Sequence, residues 1–468
     1  MQTLELTSMP ISEAAERIRA REVSPVELTE AYLRRIERLN PHINAYVVVT
    51  PERAMEDARR AEAEIAAGDY KGALHGIPIA LKDLYETAGI RTSGGCRAYE
   101  DNVPAEDCTV ARKLREAGSV LLGKTNTHEL AYGTTTNNHW YGPTRNPWAY
   151  DRIPGGSSGG SGAATVADLA AATMGTDTGG SIRIPAALCG VVGMKPTYGR
   201  VSKAGVLPMS WQLDHAGPLA KTVRDAAIML EAVEGYDPRD GNSVRVGSVD
   251  YSNAFETDLS GVVVGVPRSY FFELLDDEVR AAVEAALATL RGLGAEVRDL
   301  ALESFQDTFR VAFDMVRTEA IEFHAKRLES NPDGFSPELR AILQHPISGT
   351  AYAEAQRAMY DYRAAVRTAL EDVSVLVAPT TRAPAALIGQ DTVDVAGVQL
   401  PIALVMAGLT SPFNVAGTPA MSVPCGFSSG GLPIGMQIVG RPFDEWNVFR
   451  VGHAYEQATG WHTRRPAP

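Results

Sequence analysis

Lysine is scarce in this chain: 8 residues against 36 arginines in a sequence of 468. Cysteine is scarcer still. The four cysteines, Cys96, Cys108, Cys189 and Cys425, are scattered, with no CxxC pair. That excludes a zinc knuckle or a dithiol redox motif and leaves free thiols in a reducing compartment as the expectation. Basic residues do not outnumber acidic ones. The formal net charge is -13, a balance that repels phosphate backbones and argues against direct nucleic-acid binding. No run reaches the roughly 18 consecutive apolar residues of a membrane span. The opening stretch MQTLELTSMPISEAAERIRA lacks the basic and apolar regions of a secretory signal. The expected location is therefore the cytoplasm, with no membrane partner.

What is present is ordinary globular composition, 45% hydrophobic and 22% charged, with enough chain to bury a large core. Ser24-Pro25-Val26-Glu27 has the order of a capping box, and Leu28, Tyr32, Leu33 and Ile36 follow at helical spacing. A second helix starts at Thr50-Pro51. The apolar runs GIPIALKD and SVLLGKTN read as strands. From residue 261 strands and helices alternate. GVVVGVP, AEVRDLAL, VSVLVAPT, AMSVPCGF and PIGMQIVG are strand-like. Helices are expected over 276–293, near 305–329, near 350–372 and near 443–459. This alternation argues for an α/β fold, one sheet covered on both faces.

Two glycine-rich stretches stand apart: DRIPGGSSGGSGAA (151–164) and GTDTGGSIRIPA (175–186). A flexible linker accounts for one such tract but not for the second. A phosphate cradle needs a lysine after its glycines, and none follows. Gly155-Gly156-Ser157-Ser158-Gly159 fits the G-x-S-x-G pattern of a nucleophile elbow, but no hydrophobic strand precedes it. The reading that remains is a pair of serines held on close-approaching backbone, one a nucleophile and one a proton relay.

Such a pair needs a base. In a chain that prefers arginine so strongly, a lysine at a strand end draws notice. Buried lysine can lose its proton, whereas arginine effectively cannot. Lys82 closes the GIPIALKD run. Two readings stay open for it: the missing base, or a strand-end charge paired with Asp83.

At this point the residues resemble a known family. GGSSGGSGAA followed by GTDTGGSIRIPAALCGVVGMKPTYGRVS is similar to the signature of the amidase signature family, and GIPIALKD is similar to its lysine segment. GPTRNPW, SPFNVAGTPAMSVPCG and GLPIGMQIVG also resemble family segments, in the family's order, from about residue 10 to 460. The resemblance implies a Ser–cis-Ser–Lys triad: Ser181 the nucleophile, Ser157 the bridging serine after a cis Gly156-Ser157 peptide, and Lys82 the base. It implies an oxyanion hole from the backbone N–H groups of Thr178, Gly179, Gly180 and Ser181. Ser158, Asp177 and Arg183 are expected in supporting roles, and Tyr132, Gly133 and Thr134 as substrate-pocket lining. His128 and Glu129 are adjacent and so point apart, which argues against a metal pair. No metal and no cofactor is expected.

The implied fold is one amidase-signature domain over 1–468, an α/β/α sandwich around a large mixed twisted sheet. N-terminal helices occupy 1–70, the signature core with the triad 71–250, and an α/β remainder completing the sheet and substrate cleft 251–468. The implied activity is hydrolysis of a carboxylic amide through a seryl acyl-enzyme. The chain is expected to be a free-standing enzyme on small-molecule amides, open also to anilides, carbamates or urethanes and esters, as a monomer or homodimer. The alternative is the glutaminase-type subunit of a tRNA-dependent amidotransferase, which releases ammonia from glutamine. In that subunit the family pattern places an acidic residue seven positions before the asparagine of its N-L-A-G segment. Here the segment is Asn414-Val415-Ala416-Gly417 and the position is Ala407, which argues against glutamine. A non-catalytic scaffold is disfavoured because every triad member is present.

Overall fold

Local signals account for most of the helices. The Ser24 hydroxyl accepts hydrogen bonds from the N–H groups of Val26 and Glu27, starting α1 (Pro25–Ile43) as its sequence order predicts. The computed structural model describes residues 6–302, 305 and 307–467. After α1 come α2 (Pro51–Ala66), α3 (Gly159–Val166), α4 (Arg183–Cys189), α5 (Asp277–Gly292), α6 (Thr308–Ser330), α7 (Gly349–Ala369), α8 (Ser411–Ala416) and α9 (Glu445–Ala458). Asp276 caps α5, and Val279, Val283, Ala286, Leu287 and Leu290 form its buried stripe.

The apolar runs become one eleven-stranded sheet. Its strands are β1 (Tyr46–Val49), β2 (Pro78–Lys82), β3 (Val120–Thr125), β4 (Ala172–Asp177), β5 (Val192–Lys195), β6 (His215–Ala220), β7 (Val263–Pro267), β8 (Glu296–Leu300), β9 (Val375–Pro379), β10 (Ala420–Phe427) and β11 (Pro433–Val439). The spatial order is β1-β3-β2-β4-β6-β5-β10-β11-β9-β7-β8. The sheet is mixed: β2 runs parallel to both β3 and β4, while β6, β5, β10 and β11 pair antiparallel in turn. Most of the central strands are buried along their whole length, as a sheet covered on both faces requires.

The register positions the site. Leu81 of β2 lies opposite Met174 of the parallel β4, so the C-terminal ends of the two strands share one edge of the sheet. Lys82 ends β2 and Asp177 ends β4. The segments that leave both strands therefore converge.

Two elements were not legible beforehand. Strand β6 contains Gly217 and Pro218, both disfavoured in strands, and is held by neighbours on both sides. The Gly/Ser run continues into α3, every residue of which is buried. Glycine is a poor helix former, and tertiary packing overrides that preference here. Gly160 shows why the small residue is there: a Cβ would clash with the Asn126 carbonyl oxygen.

Candidate active site

The Gly156-Ser157 peptide is cis, as the family resemblance implies. Its surroundings hold it firmly. The Ser157 carbonyl accepts from the His128 N–H (3.0 Å) and from the hydroxyls of Thr127 (3.1 Å) and Thr136 (3.2 Å). The Ser158 hydroxyl donates to the Thr176 carbonyl at 3.2 Å and accepts from the Thr176 N–H at 3.3 Å, tying the run to β4. Ser161 bonds Thr125 of β3 at 2.8 Å. The run is a fixed backbone, with no freedom to act as a tether.

Lys82 is fully buried. Its Nζ lies 2.7 Å from Ser157 Oγ and 2.8 Å from Thr176 Oγ1. Desolvation lowers its pKa to about 7, against the pull of Asp214 and Asp177, which favour the ammonium. The other reading of Lys82, pairing with Asp83, does not hold. Asp83 turns to the buried Lys124 at 3.7 Å and accepts from Ser93 and Gly95. Four of the eight lysines, Lys82, Lys124, Lys195 and Lys221, are buried.

Ser181 sits on the loop between β4 and α4. Its carbonyl accepts from the Ser158 N–H at 3.3 Å, which brings the two serine segments side by side. Among the described residues no hydrogen bond joins the Ser157 and Ser181 hydroxyls, so the structure closes the Lys82–Ser157 leg and leaves the Ser157–Ser181 leg open.

Asp177 shapes this loop. Its carboxylate accepts from the N–H groups of Gly180 (2.8 Å), Ile182 (3.1 Å) and Arg183 (3.3 Å). The Gly180 N–H is therefore spent on Asp177, which corrects its expected place among the oxyanion donors. An N–H bonded to the anchoring carboxylate is not free to meet a substrate. The N–H groups of Thr178, Gly179 and Ser181 make no such bond to the Asp177 carboxylate. Gly180 has φ +133°, and a Cβ there would overlap the Thr410 side chain, so only glycine fits.

Arg183 backs the loop from beneath. Both of its termini are buried, and the guanidinium spans Asp177 (3.0 and 3.1 Å), Thr410 O (3.0 Å), Gln437 Oε1 (2.8 Å) and Asn414 Oδ1 (2.6 Å). Asn414 Nδ2 returns to Asp177 Oδ1 at 2.7 Å. Burial opposes the Asp177 charge, but Arg183 overrides it and holds the carboxyl well below the usual carboxylate range.

In front of Ser181 lies a cavity of about 260 Å³. Tyr132, Gly133 and Thr134 line it, together with Thr178 and Gly179. Residues that sequence reasoning missed complete the wall: Met209, Ile184, and Phe309, Phe313 and Val316 from α6. Their helical spacing puts Phe309, Phe313 and Val316 on one face of α6 but carries no sign of what that face meets. Ala407 is also on the wall, and among the described residues none that lines the cavity is acidic or basic. His128 and Glu129 do diverge: the His128 ring faces Thr135 at 3.3 Å, while Glu129 accepts from Trp140 and the Ser336 N–H. Cys189 is buried with the other three cysteines. Among the described residues no group of three or more His, Cys, Asp or Glu side chains is placed to hold a metal ion, and no helix is long and apolar enough to cross a membrane.

Comparison with known proteins agrees with this geometry. The family model described as Amidase matches residues 27–449. A glutamyl-tRNA(Gln) amidotransferase subunit of Geobacter metallireducens is 41% identical over 489 residues, covering 99% of each chain. The crystal structure of the same-named subunit from Thermotoga maritima is 33% identical with a TM-score of 0.80, over 97% of this chain and 95% of that one. A structure described as a vestigial protein complex that reveals the origins of an s-triazine catabolic enzyme is 34% identical with a TM-score of 0.92, over 98% and 100% of the two chains.

These relatives overturn two expectations: a free-standing hydrolase of small-molecule amides, and a monomer or homodimer without nucleic-acid partners. Full-length kinship runs to a named subunit of a tRNA amidotransferase. The charge argument failed because net charge describes one chain by itself and says nothing of what it assembles with. The Ala407 argument rested on a single position. The amide-bond chemistry and the fold stand, and with the family model covering most of its length this chain belongs to the amidase family.

Proposed function

We propose that the chain is the amide-hydrolysing subunit of an amidotransferase of the glutamyl-tRNA(Gln) kind, working in the cytoplasm with at least one further subunit. The observation that carries this reading is kinship along the full length, 41% identity covering 99% of both chains, to a subunit of that name.

The chemistry follows from the site. Ser181 Oγ attacks the amide carbonyl as its proton passes to Ser157 Oγ, whose own proton goes to neutral Lys82 Nζ. The open Ser157–Ser181 leg closes as the Ser181 hydroxyl turns toward Ser157 with substrate seated, since catalytic hydrogen bonds are often long in the free enzyme. The N–H groups of Thr178, Gly179 and Ser181 face the developing oxyanion. When the tetrahedral adduct collapses, the proton held by Lys82 returns through Ser157 to the leaving nitrogen. Ammonia departs and an acyl ester remains on Ser181. Water then attacks the ester by the same relay, which frees the acid and restores the serine. The ammonia is the nucleophile that a partner subunit directs at the activated glutamyl group of the tRNA.

The test compares the chain alone with the chain co-purified with its partner subunits. Ammonia release from glutamine and amidation of glutamyl-tRNA(Gln) are measured in both, with Ser181→Ala as control. Ser181-dependent amidation in the assembly is the expected result. Hydrolysis of simple amides with no amidation in any assembly would overturn the amidotransferase reading and leave the hydrolytic one intact.

A further inference from the structure

Outside the substrate cavity lies a second one of about 380 Å³, walled in part by Thr176, Asp214 and His215. Thr176 is the residue that shares Lys82 with Ser157. Asp214 reaches the other way. Its Oδ1 accepts from Thr178 Oγ1 at 2.6 Å, and Thr178 lines the substrate cavity. Its Oδ2 accepts from the N–H groups of Met209 (2.8 Å) and Ser210 (3.0 Å). One half-buried carboxylate thus joins the wall behind the lysine to the loop that carries the nucleophile. Neither motif nor spacing marks it in the sequence.

We propose that Asp214 is a positioning residue for amide hydrolysis, fixing the Thr178 end of the Ser181 loop while its negative charge faces the Lys82–Thr176 pair. The inference rests on the seryl reading above. Three donors on two oxygens fix the carboxylate, and an asparagine cannot satisfy all three, because its amide nitrogen donates. The charge has a second effect. Asp214 favours the Lys82 ammonium more than Asp177 does, against the desolvation that lowers it. His128 also faces Lys82, and Lys203, Tyr85 and Tyr198 face Asp214. Without the Asp214 charge, Lys82 gives up its proton at a lower pH.

The experiment reads Ser181 itself and needs no knowledge of the donor amide. The second-order rate of Ser181 phosphonylation by a fluorophosphonate probe is followed from pH 5 to 9, per folded protein, with Ser181→Ala as the blank. In Asp214→Asn the plateau rate is expected to fall roughly tenfold or more through misplacement of the loop. The acid limb is expected to move down by about half a pH unit or more. Thr178→Val, which removes one donor and no charge, lowers the plateau and leaves the limb in place. Asp214→Glu does the same, because it keeps the charge but shifts the carboxylate. An Asp214→Asn limb that stays put, or a plateau within about twofold of wild type, overturns the proposal. Labelling that persists in Ser181→Ala instead defeats the seryl reading on which it rests.

Discussion

Lys82 Nζ donates to Ser157 Oγ across 2.7 Å, joining the end of a buried strand to a serine 75 positions later. An ammonium fixed in that dry environment is unfavourable, and the consequences are measurable.

In the proposed mechanism Lys82 works as a base only when neutral, and burial lowers its pKa to about 7. Hydrolysis should therefore lose about tenfold per pH unit on the acid side of that value. Stability follows the same titration. Between about pH 7 and 10.5 the unfolded lysine holds a proton that the folded one does not. The contribution of this group to stability thus rises with pH through that window. Lys82→Met should abolish activity and yet be more stable than wild type at pH 7, by on the order of a few kcal/mol, with the gap closing toward pH 10. Calorimetry over that range checks it.

Ser157 and Ser181 act as one relay in the proposed mechanism. Each single alanine variant should lower kcat by about 10³-fold or more, and the double variant should cost little beyond either single change. Additive losses, measured with one amide under single-turnover conditions, would separate the two serines.

Arg183 neutralises Asp177 where neither meets water. Arg183→Met should destabilise the fold by about 3–5 kcal/mol, because a buried carboxylate is left unpaired. The pair also sets an acid limit. The folded Asp177 carboxyl is held below its unfolded value near 3.9, so its stabilisation is present above about pH 4 and lost as pH falls below it. Acid unfolding of wild type and Asp177→Asn, compared from pH 5 to 2, should show the steeper fall in wild type.

Ala407 stands on the cavity wall beside Ser181, where no lining side chain among the described residues is charged. Ala407→Asp should cost about 1–3 kcal/mol in the free protein through burial of a carboxylate. It should recover part of that loss in glutamine, whose ammonium supplies the partner. Melting with and without glutamine, together with kcat/KM for glutamine against an uncharged primary amide, gives the check. The ratio should shift toward glutamine.

Much of this site was legible before any coordinates. The strand ends, the helix caps and the two glycine-serine stretches are local, because continuous apolar runs, capping and glycine's lack of a Cβ act over a few residues. Lys82 drew attention through composition, since in a chain of 36 arginines and 8 lysines a lysine at a strand end stands out, and lysine can lose its proton where arginine cannot. Family resemblance then supplied the roles.

What the sequence could not hold is whatever forms between distant segments. Asp177 finds Asn414 237 positions away and Arg183 finds Gln437 254 positions away. Phe309 and Phe313, from α6, share a cavity wall with Tyr132 and Ala407, which lie far from them in the chain. Gly180 looked like an oxyanion donor until folding turned its N–H onto Asp177. Short-range patterns fix which elements form and which residues are chemically able. The parallel register of β2 and β4 decides which of them meet, because only closure of the sheet brings separate chain segments within hydrogen-bonding reach.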